Sequence, residues 1–375
     1  MKIINAKVFD TDFTFKAKEI CIKGNKFSDS NDDEKVIDAK DLYAIPGLID
    51  IHFHGAVGSD FMDGTYKSLH DIAQYEASVG VTSICPASMT MSEADIVKAC
   101  KNAKAFKPED DCSDLVGINM EGPFVSPNKV GAQNPRFVID PDAEFFRRAN
   151  AASGNKIKLL AIAPETQNGI ETIKELKDEV LCSIAHTTAS YEIAKAAIEA
   201  GATHITHLYN AMPTLHHRDP GPIAAGSDAK WCEAEIICDG IHIHPAAVRA
   251  AFKLYGDDRM ILISDSMMAC GLDNGVYQLG GQKVTVKDRK ATLDSGTIAG
   301  SATNLFDCMR IAVKQMDIPF ETAVRCATYN PARSINILDS VGTIEPGKQA
   351  NLLLLDKDLN LKAVLLRGKL LSFNI

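Results

Sequence analysis

Hydrophobic positions in this chain fall into short continuous runs, and each run stops abruptly at a polar residue capable of chemistry. The runs are "AIPGLIDIHFH" into His54, "DLVGINMEG" into Glu121, "VLCSIAHT" into His186, "THITHLYN" into His207 and "MILISDS" into Asp265. A strand of a parallel barrel reads this way, apolar along its length because both faces are covered and functional at its C-terminal tip. Between Pro46 and about Leu338 such runs alternate with helix-like stretches. "VTSICPAS" precedes "SEADIVKACKNAKAF", and "VLCSIAHT" precedes "SYEIAKAAIEAG". The alternation predicts an α/β fold of parallel strands joined by helical crossovers. Runs begin near Gly47, Val81, Leu115, Lys158, Val180, His204, Glu235 and Met260, eight in all. Their span fits the roughly 250 residues of a TIM-like (β/α)8 barrel. A doubly wound sheet is the alternative, but it would bind its ligand at one switch point instead of collecting polar tips from many strands.

The chain ends follow a different pattern. "KIINAKVF" and "EICIKG" alternate polar and apolar positions, with Gly24 and Asn25 as a turn, and "GTIEPGKQANLLLLDKDLNLKAVLLRGKLL" reads as strand, turn, strand. Neither end has enough strands to stand alone. The two are expected to meet in one small β-sandwich domain, residues 1–44 plus 342–375, flanking a barrel over 45–341. "GVYQLGGQKVTVKDRKATLDSG" predicts a β hairpin inserted after the last barrel strand.

Composition narrows the function. With 375 residues, 46% of them hydrophobic, the chain can bury a large core. A net charge of -9 argues against a nucleic-acid or anionic-membrane surface, either of which needs a basic face. The N-terminal segment has no continuous apolar stretch, and no run approaches the roughly 18 residues of a membrane span, so a soluble, cytoplasmic protein is expected. The ten cysteines form no CxxC pairs and sit mostly in apolar segments, as reduced buried thiols do.

The chemistry lies at the strand tips. His52 and His54 are two apart, so on a strand both imidazoles share one face. An isolated pair of this kind is usually just two buried, hydrogen-bonded histidines. Here Glu121, His186 and His207 come from other tips, and a carboxylate at the end of an apolar strand must be paired or metal-bound to offset its desolvation. Neutral imidazole with carboxylate suits Zn²⁺ or Fe²⁺. Asp265, on the last barrel strand, is the expected general base for hydrolysis of an amide or ester. His204 lies an odd three residues before His207, which points it to the opposite side of the strand as a structural histidine. The loop "YNAMPTLHHRDPGPIAAGSD" is too long for a tight connection and reads as a lid or binding loop. Within it, Arg218 and the backbone N–H groups around Asn210 and Ala211 are candidates to hold a phosphate, and His242 stands at the seventh strand tip. A lone arginine is more often a solvated surface side chain. His216, His217 and His244 receive no role.

The motifs "PGLIDIHFHG", "MEGPF", "HTTAS", "THLYNAMP", "DGIH", "SDSMMACG", "AGSATNL" and "NPARSINILDSVGTIEPGKQANLLLLD" together resemble the N-acetylglucosamine-6-phosphate deacetylase family of the amidohydrolase superfamily. The resemblance covers nearly the whole chain; no single motif is specific, but the ordered set is. It implies hydrolysis of the acetamide of an N-acetylhexosamine 6-phosphate by one or two divalent ions. Glu121, His186 and His207 would bind the main ion. His52, His54 and Asp265 would bind a second, with Glu121 bridging and Asp265 as acid and base. Asn210, Ala211, Arg218 and His242 would surround the sugar phosphate, with Arg218 reaching across a homodimer interface into the neighbouring site. One stretch departs from the family. Where the family has a histidine in "GxHNP" that orients the acetamide, this chain reads "GAQNP", and Gln133 donates hydrogen bonds but never carries charge. A second ion at His52 and His54 would supply the lost polarisation, and the substitution leaves N-acetylgalactosamine 6-phosphate as an alternative substrate. A dihydroorotase-like reading lacks the lysine it needs in "LLAIAPE". A non-catalytic sugar-phosphate binding protein is the alternative of another class.

Overall fold

A computed structural model describes residues 1–30 and 35–373. Eight parallel strands run in the order that the apolar runs suggest: β1 Leu48–Asp50, β2 Val81–Ile84, β3 Ile118–Met120, β4 Ile157–Ile162, β5 Leu181–Ile184, β6 His204–Ile205, β7 Glu233–Ile237 and β8 Met260–Ile263. Strands β3 to β8 form one continuous sheet, and β1 and β2 pair with each other. The third run is split: Asp114–Leu115 pairs with β2, and after Gly117 the chain re-enters as β3 against β4. A Cβ at Gly117 would lie 2.5 Å from the Lys158 side chain, so the interruption needs glycine. Above β1 and β8 the barrel closes through Asp265 N–H to His52 C=O at 2.9 Å and His54 N–H to Ser266 C=O at 2.6 Å.

Helices α1 Tyr66–Ser78, α2 Glu93–Ala105, α3 Ala143–Ser153, α4 Gly169–Leu176, α5 Tyr191–Ala200, α6 Gly221–Asp228, α7 Pro245–Tyr255 and α8 Leu305–Met316 follow the eight strands in turn. Their starts obey local capping chemistry. The Ser92, Ser190 and Asn304 side chains each accept a first-turn N–H, and His244 caps α7 through Nδ1. Inside the barrel, Ile49, Ile51, Leu159, Ile261 and Ile263 pack on Ala332 and Ile335, which close its floor.

The two chain ends meet in one sheet. Strand Tyr43–Pro46 pairs in parallel with Lys2–Phe9 and antiparallel with Leu352–Leu355, inside an eight-stranded sheet. Phe27 N–H to Lys348 C=O and Ala350 N–H to Asn25 C=O, at 2.9 and 2.8 Å, fold this sheet over a core of Ile3, Val8, Ile22, Leu352 and Leu354, a β-sandwich. Phe15 stacks on Phe320 at 5.0 Å, and Arg367 bonds Asp114 at 2.8 Å, seating the sandwich against the barrel. The insert after β8 has one strand more than the expected hairpin. Gly275–Leu279, Gln282–Lys287 and Lys290–Leu293 form a meander, because "KATL" after the Asp288–Arg289 turn pairs back on its neighbour.

One buried group carries a cost. Glu76 on α1 is fully buried, neither carboxyl oxygen has a hydrogen-bond partner among the described residues, and burial with the nearby Asp50 charge holds its pKa well above the usual carboxylate range. Below pH 4.5 folded and unfolded chains both carry the proton, so Glu76 costs nothing by this route. As pH rises past that value only the unfolded chain ionises freely, and stability is lost. Glu76→Met is therefore expected to raise stability by about 1–3 kcal/mol at pH 7 and by little at pH 4. Urea midpoints at the two pH values check this, and equal gains at both would show that ionisation is not the cost.

Candidate metal centre

β1 ends at Asp50, before either histidine, so strand alternation does not orient His52 and His54. They lie in the irregular segment beyond the strand, with ring centroids 5.7 Å apart and planes at 80°. Both still reach Glu121: His54 Nε2 is 3.3 Å from Oε2 and His52 Nε2 is 3.5 Å from Oε1. From β5 and β6, His186 Nε2 and His207 Nε2 each lie 3.0 Å from the same Oε1, and 3.2 Å from one another. Asp265 Oδ1 is 3.3 Å from His54 Nε2 and 3.9 Å from His52 Nε2. Four imidazoles thus converge on the Glu121 carboxylate, whose two oxygens divide them, and Asp265 joins the cluster through His54 and His52; the six residues span more than half the chain.

Local backbone explains how the tips turn inward. His186, His207 and Asp265 have φ of 43°, 28° and 48°, the left-handed region that costs a non-glycine residue of order 1 kcal/mol or more and persists only where the surroundings impose it. Each turns the chain just past its strand and swings the side chain over the barrel mouth. Gly122 follows Glu121 at φ 81°, where a Cβ would lie 2.1 Å from Thr90 Oγ1. The glycine of "MEGPF" is thus required by close packing of two loop tips.

The electrostatics are those of a cation site. Burial disfavours charge at His52, His54, Glu121 and Asp265, yet the opposite charges beside each override it. His52 is pushed well above its ordinary range by Glu235 and Glu121, His54 is pushed up to about 10 by Asp265 and Glu121, and Glu121 and Asp265 are held low by the histidines. His52 Nε2, His54 Nδ1 and His207 Nδ1 have no hydrogen-bond partner among the described residues. His186 Nδ1 is 3.1 Å from the Lys129 carbonyl, which fixes the N–H on that side and turns the Nε2 lone pair inward. Two overlapping groups, His52 with His54 and Asp265, and His52 with Glu121 and His207, place ligand atoms within 4.8 Å of one another. Nitrogen and carboxylate donors in such a buried cluster fit a divalent transition-metal ion.

Over the cluster opens a cavity of about 370 Å³, lined by Gln133, Asn210, Ala211 and His242 as well as by Met89 and Leu279. Gln133 is buried and already engaged: its Oε1 accepts from Thr90 N–H at 2.6 Å and its Nε2 donates to Glu121 Oε2 at 2.7 Å. One donor of its amide is thus spent on the carboxylate. Arg218, alone among the expected site residues, stands away from both cluster and cavity, exposed beside His217 Nε2 at 2.7 Å. His204 does not point away from the cluster. With Thr206 it faces Ser183 in the barrel interior, at 3.0 Å, because the chain turns only after Thr206 and the odd spacing to His207 carries no side information.

Three further groups matter here. Lys129 lines the cavity along with Gln133; Asp239 accepts from His242 Nδ1 at 2.7 Å and from two backbone N–H groups, locking that ring; Glu235 accepts from His52 Nδ1 at 2.8 Å. Asp239 was within "DGIH", whereas nothing local marks Lys129 or Glu235.

A model of the amidohydrolase family matches residues 43–371. The chain belongs to the amidohydrolase family. It is 37% identical over 335 residues to an N-acetylglucosamine-6-phosphate deacetylase of Bacillus subtilis (strain 168), covering 88% of this chain and 85% of the relative. To an N-acetylgalactosamine-6-phosphate deacetylase of Escherichia coli O157:H7 it is 32% identical over 330 residues, covering 88% and 87%. Among solved structures, a variant of the N-acetyl-D-glucosamine-6-phosphate deacetylase of Mycobacterium smegmatis, in complex with N-acetyl-D-glucosamine-6-phosphate, superposes with a TM-score of 0.92 at 29% identity over 99% of both chains.

Proposed function

We propose that this protein hydrolyses the acetamide of an N-acetylhexosamine 6-phosphate, N-acetylglucosamine 6-phosphate in the first place, to the amino-sugar 6-phosphate and acetate. The observation that carries the reading is the convergence of four imidazoles on Glu121, with Asp265 against two of them, beneath a cavity lined by His242, Gln133 and Lys129. Glu121, His186 and His207 would hold one divalent ion, and His52, His54 and Asp265 a second that shares Glu121, with Zn²⁺ and Fe²⁺ both suited to the donors. Such ions supply Lewis acidity, which polarises a carbonyl and makes water nucleophilic at neutral pH.

The chain's own residues handle protons and orientation. Asp265 is ionised at neutral pH, since the neighbouring histidines hold its pKa low. It takes a proton from water as the new C–O bond forms, and returns that proton to the nitrogen as the C–N bond breaks. His242, with Nδ1–H held by Asp239, presents Nε2 to the sugar. Its pKa is raised by that carboxylate against the effect of burial, which favours an imidazolium beside a phosphate. Gln133 keeps Glu121 in place and leaves a second N–H for the acetamide oxygen. Ten free cysteines, nine of them buried, suit a reducing cytoplasm. Among the described residues no helix is long and apolar enough to cross a membrane.

The deciding experiment supplies purified protein with Zn²⁺ or Fe²⁺ and each epimer of the substrate, and assays acetate and free amine. Release from the galactosamine epimer alone would support the second reading, which the Escherichia coli relative and Gln133 favour. No release from either, with metal bound, would leave a sugar-phosphate binding protein.

Arg218, exposed on its own chain, would complete the phosphate site of a second copy in a homodimer. Arg218→Ala is expected to raise KM by about 10- to 100-fold, the worth of a charge-assisted phosphate contact, with kcat little changed. Normal saturation by substrate would remove Arg218 from the site.

A further inference from the structure

Glu235 lies inside β7, fully buried in the barrel beneath the metal cluster and out of reach of the cavity. Its Oε2 accepts two hydrogen bonds from separate parts of the cluster, the His52 ring at Nδ1 (2.8 Å) and the backbone N–H of His207 (3.1 Å). The second oxygen, Oε1, has no hydrogen-bond partner among the described residues and lies 3.9 Å from His204 Nε2, which has none either. One carboxylate oxygen therefore ties the segment after β1 to the tip of β6, 155 residues further on by the difference of 207 and 52.

The chemistry of imidazole gives that tie a consequence. A histidine binds a cation through a nitrogen lone pair, and which nitrogen is free depends on what the other one donates to. With N–H at Nδ1 held by Glu235, Nε2 is the nitrogen left to meet an ion, 3.5 Å from Glu121 Oε1 and 3.9 Å from Asp265 Oδ1. A negative partner also makes the ring a stronger base and so a better ligand. A buried carboxylate among isoleucines is expensive unless it serves a charged or metal-bound partner, and His52 is the partner it has.

We propose that Glu235 is a positioning residue for the metal centre: it makes His52 a ligand and sets the register of His207, so that filling of the His52, His54 and Asp265 position depends on it. This rests on the two-ion reading above. Glu235 touches no reacting atom, and its effect is exerted through the two histidines.

The test measures metal content and affinity, by competition with a chromophoric chelator, for the wild type, Glu235→Gln, His52→Asn and the double variant, each loaded with Zn²⁺. Thermal melting of the metal-free forms is recorded alongside. The wild type is expected to hold two ions. In Glu235→Gln, which keeps shape and loses charge, the weaker ion should dissociate 10- to 100-fold more readily, and the double variant should bind no worse than His52→Asn alone, since both changes act through one ring. If Glu235→Gln lowers only the melting temperature and leaves both affinities unchanged, Glu235 is a fold residue and the proposal fails. If the wild type itself holds one ion at full activity, the two-ion reading fails, and the role given to Glu235 falls with it.

Discussion

Asp265→Asn is expected to lower kcat by about 10²–10⁴-fold, the range a positioned general acid or base contributes, while the protein still carries metal. The geometry makes the two parts separable. Asp265 reaches the cluster through one oxygen, 3.3 Å from His54 Nε2, and it lines the open cavity proposed to take the substrate. Asparagine keeps an oxygen for that contact and cannot take a proton. The other proposed ligands, His186 and His207 on Glu121, are untouched. Steady-state rates with metal content measured on the same preparation decide it. A variant with wild-type turnover would remove Asp265 as the base.

Glu121→Ala should have the larger effect, because its two oxygens are the centre on which all four imidazoles converge. Oε1 faces His186, His207 and His52, and Oε2 faces His54. Without the carboxylate, the four imidazoles lose the charge they face, and neither of the two proposed ion positions keeps its shared ligand. The expected protein binds no metal and turns over on the order of 10⁴-fold more slowly or worse, the several kcal/mol of transition-state stabilisation a Lewis acid provides. Elemental analysis of the purified variant checks the cause. Full occupancy by both ions would refute the central place given to Glu121.

Much of this site was legible in the chain because a barrel writes its function at strand ends. Each apolar run is covered on both faces, so a His, Glu or Asp where the run stops has only the mouth to face. His52, His54, Glu121, His186, His207 and Asp265 all stand there and all meet. The details that failed to show share another cause. The alternation rule applied to His52 and His54 presumes a strand that had already ended at Asp50, and the odd spacing of His204 presumes one that continues to His207. In both places the chain leaves regular geometry, and period counting stops being informative.

Glu235 shows the remaining gap. In "AEIIC" it is one charge in an apolar strand, and its partner His52 lies 183 positions earlier. Lys129 similarly gains meaning only because its loop passes under His186 and beside Gln133. Arg218 is the reverse case: the loop composition marks it, but one folded chain leaves it in solvent.

What the sequence by itself determined is the set of elements and the kind of residue at each tip, since local periodicity and capping follow from neighbours a few positions away. What only the tertiary structure decided is which tips share an atom, which imidazole nitrogen is left bare, and which carboxylate holds another in place. Those depend on distances of about 3 Å between residues far apart in the chain, and barrel closure alone sets them.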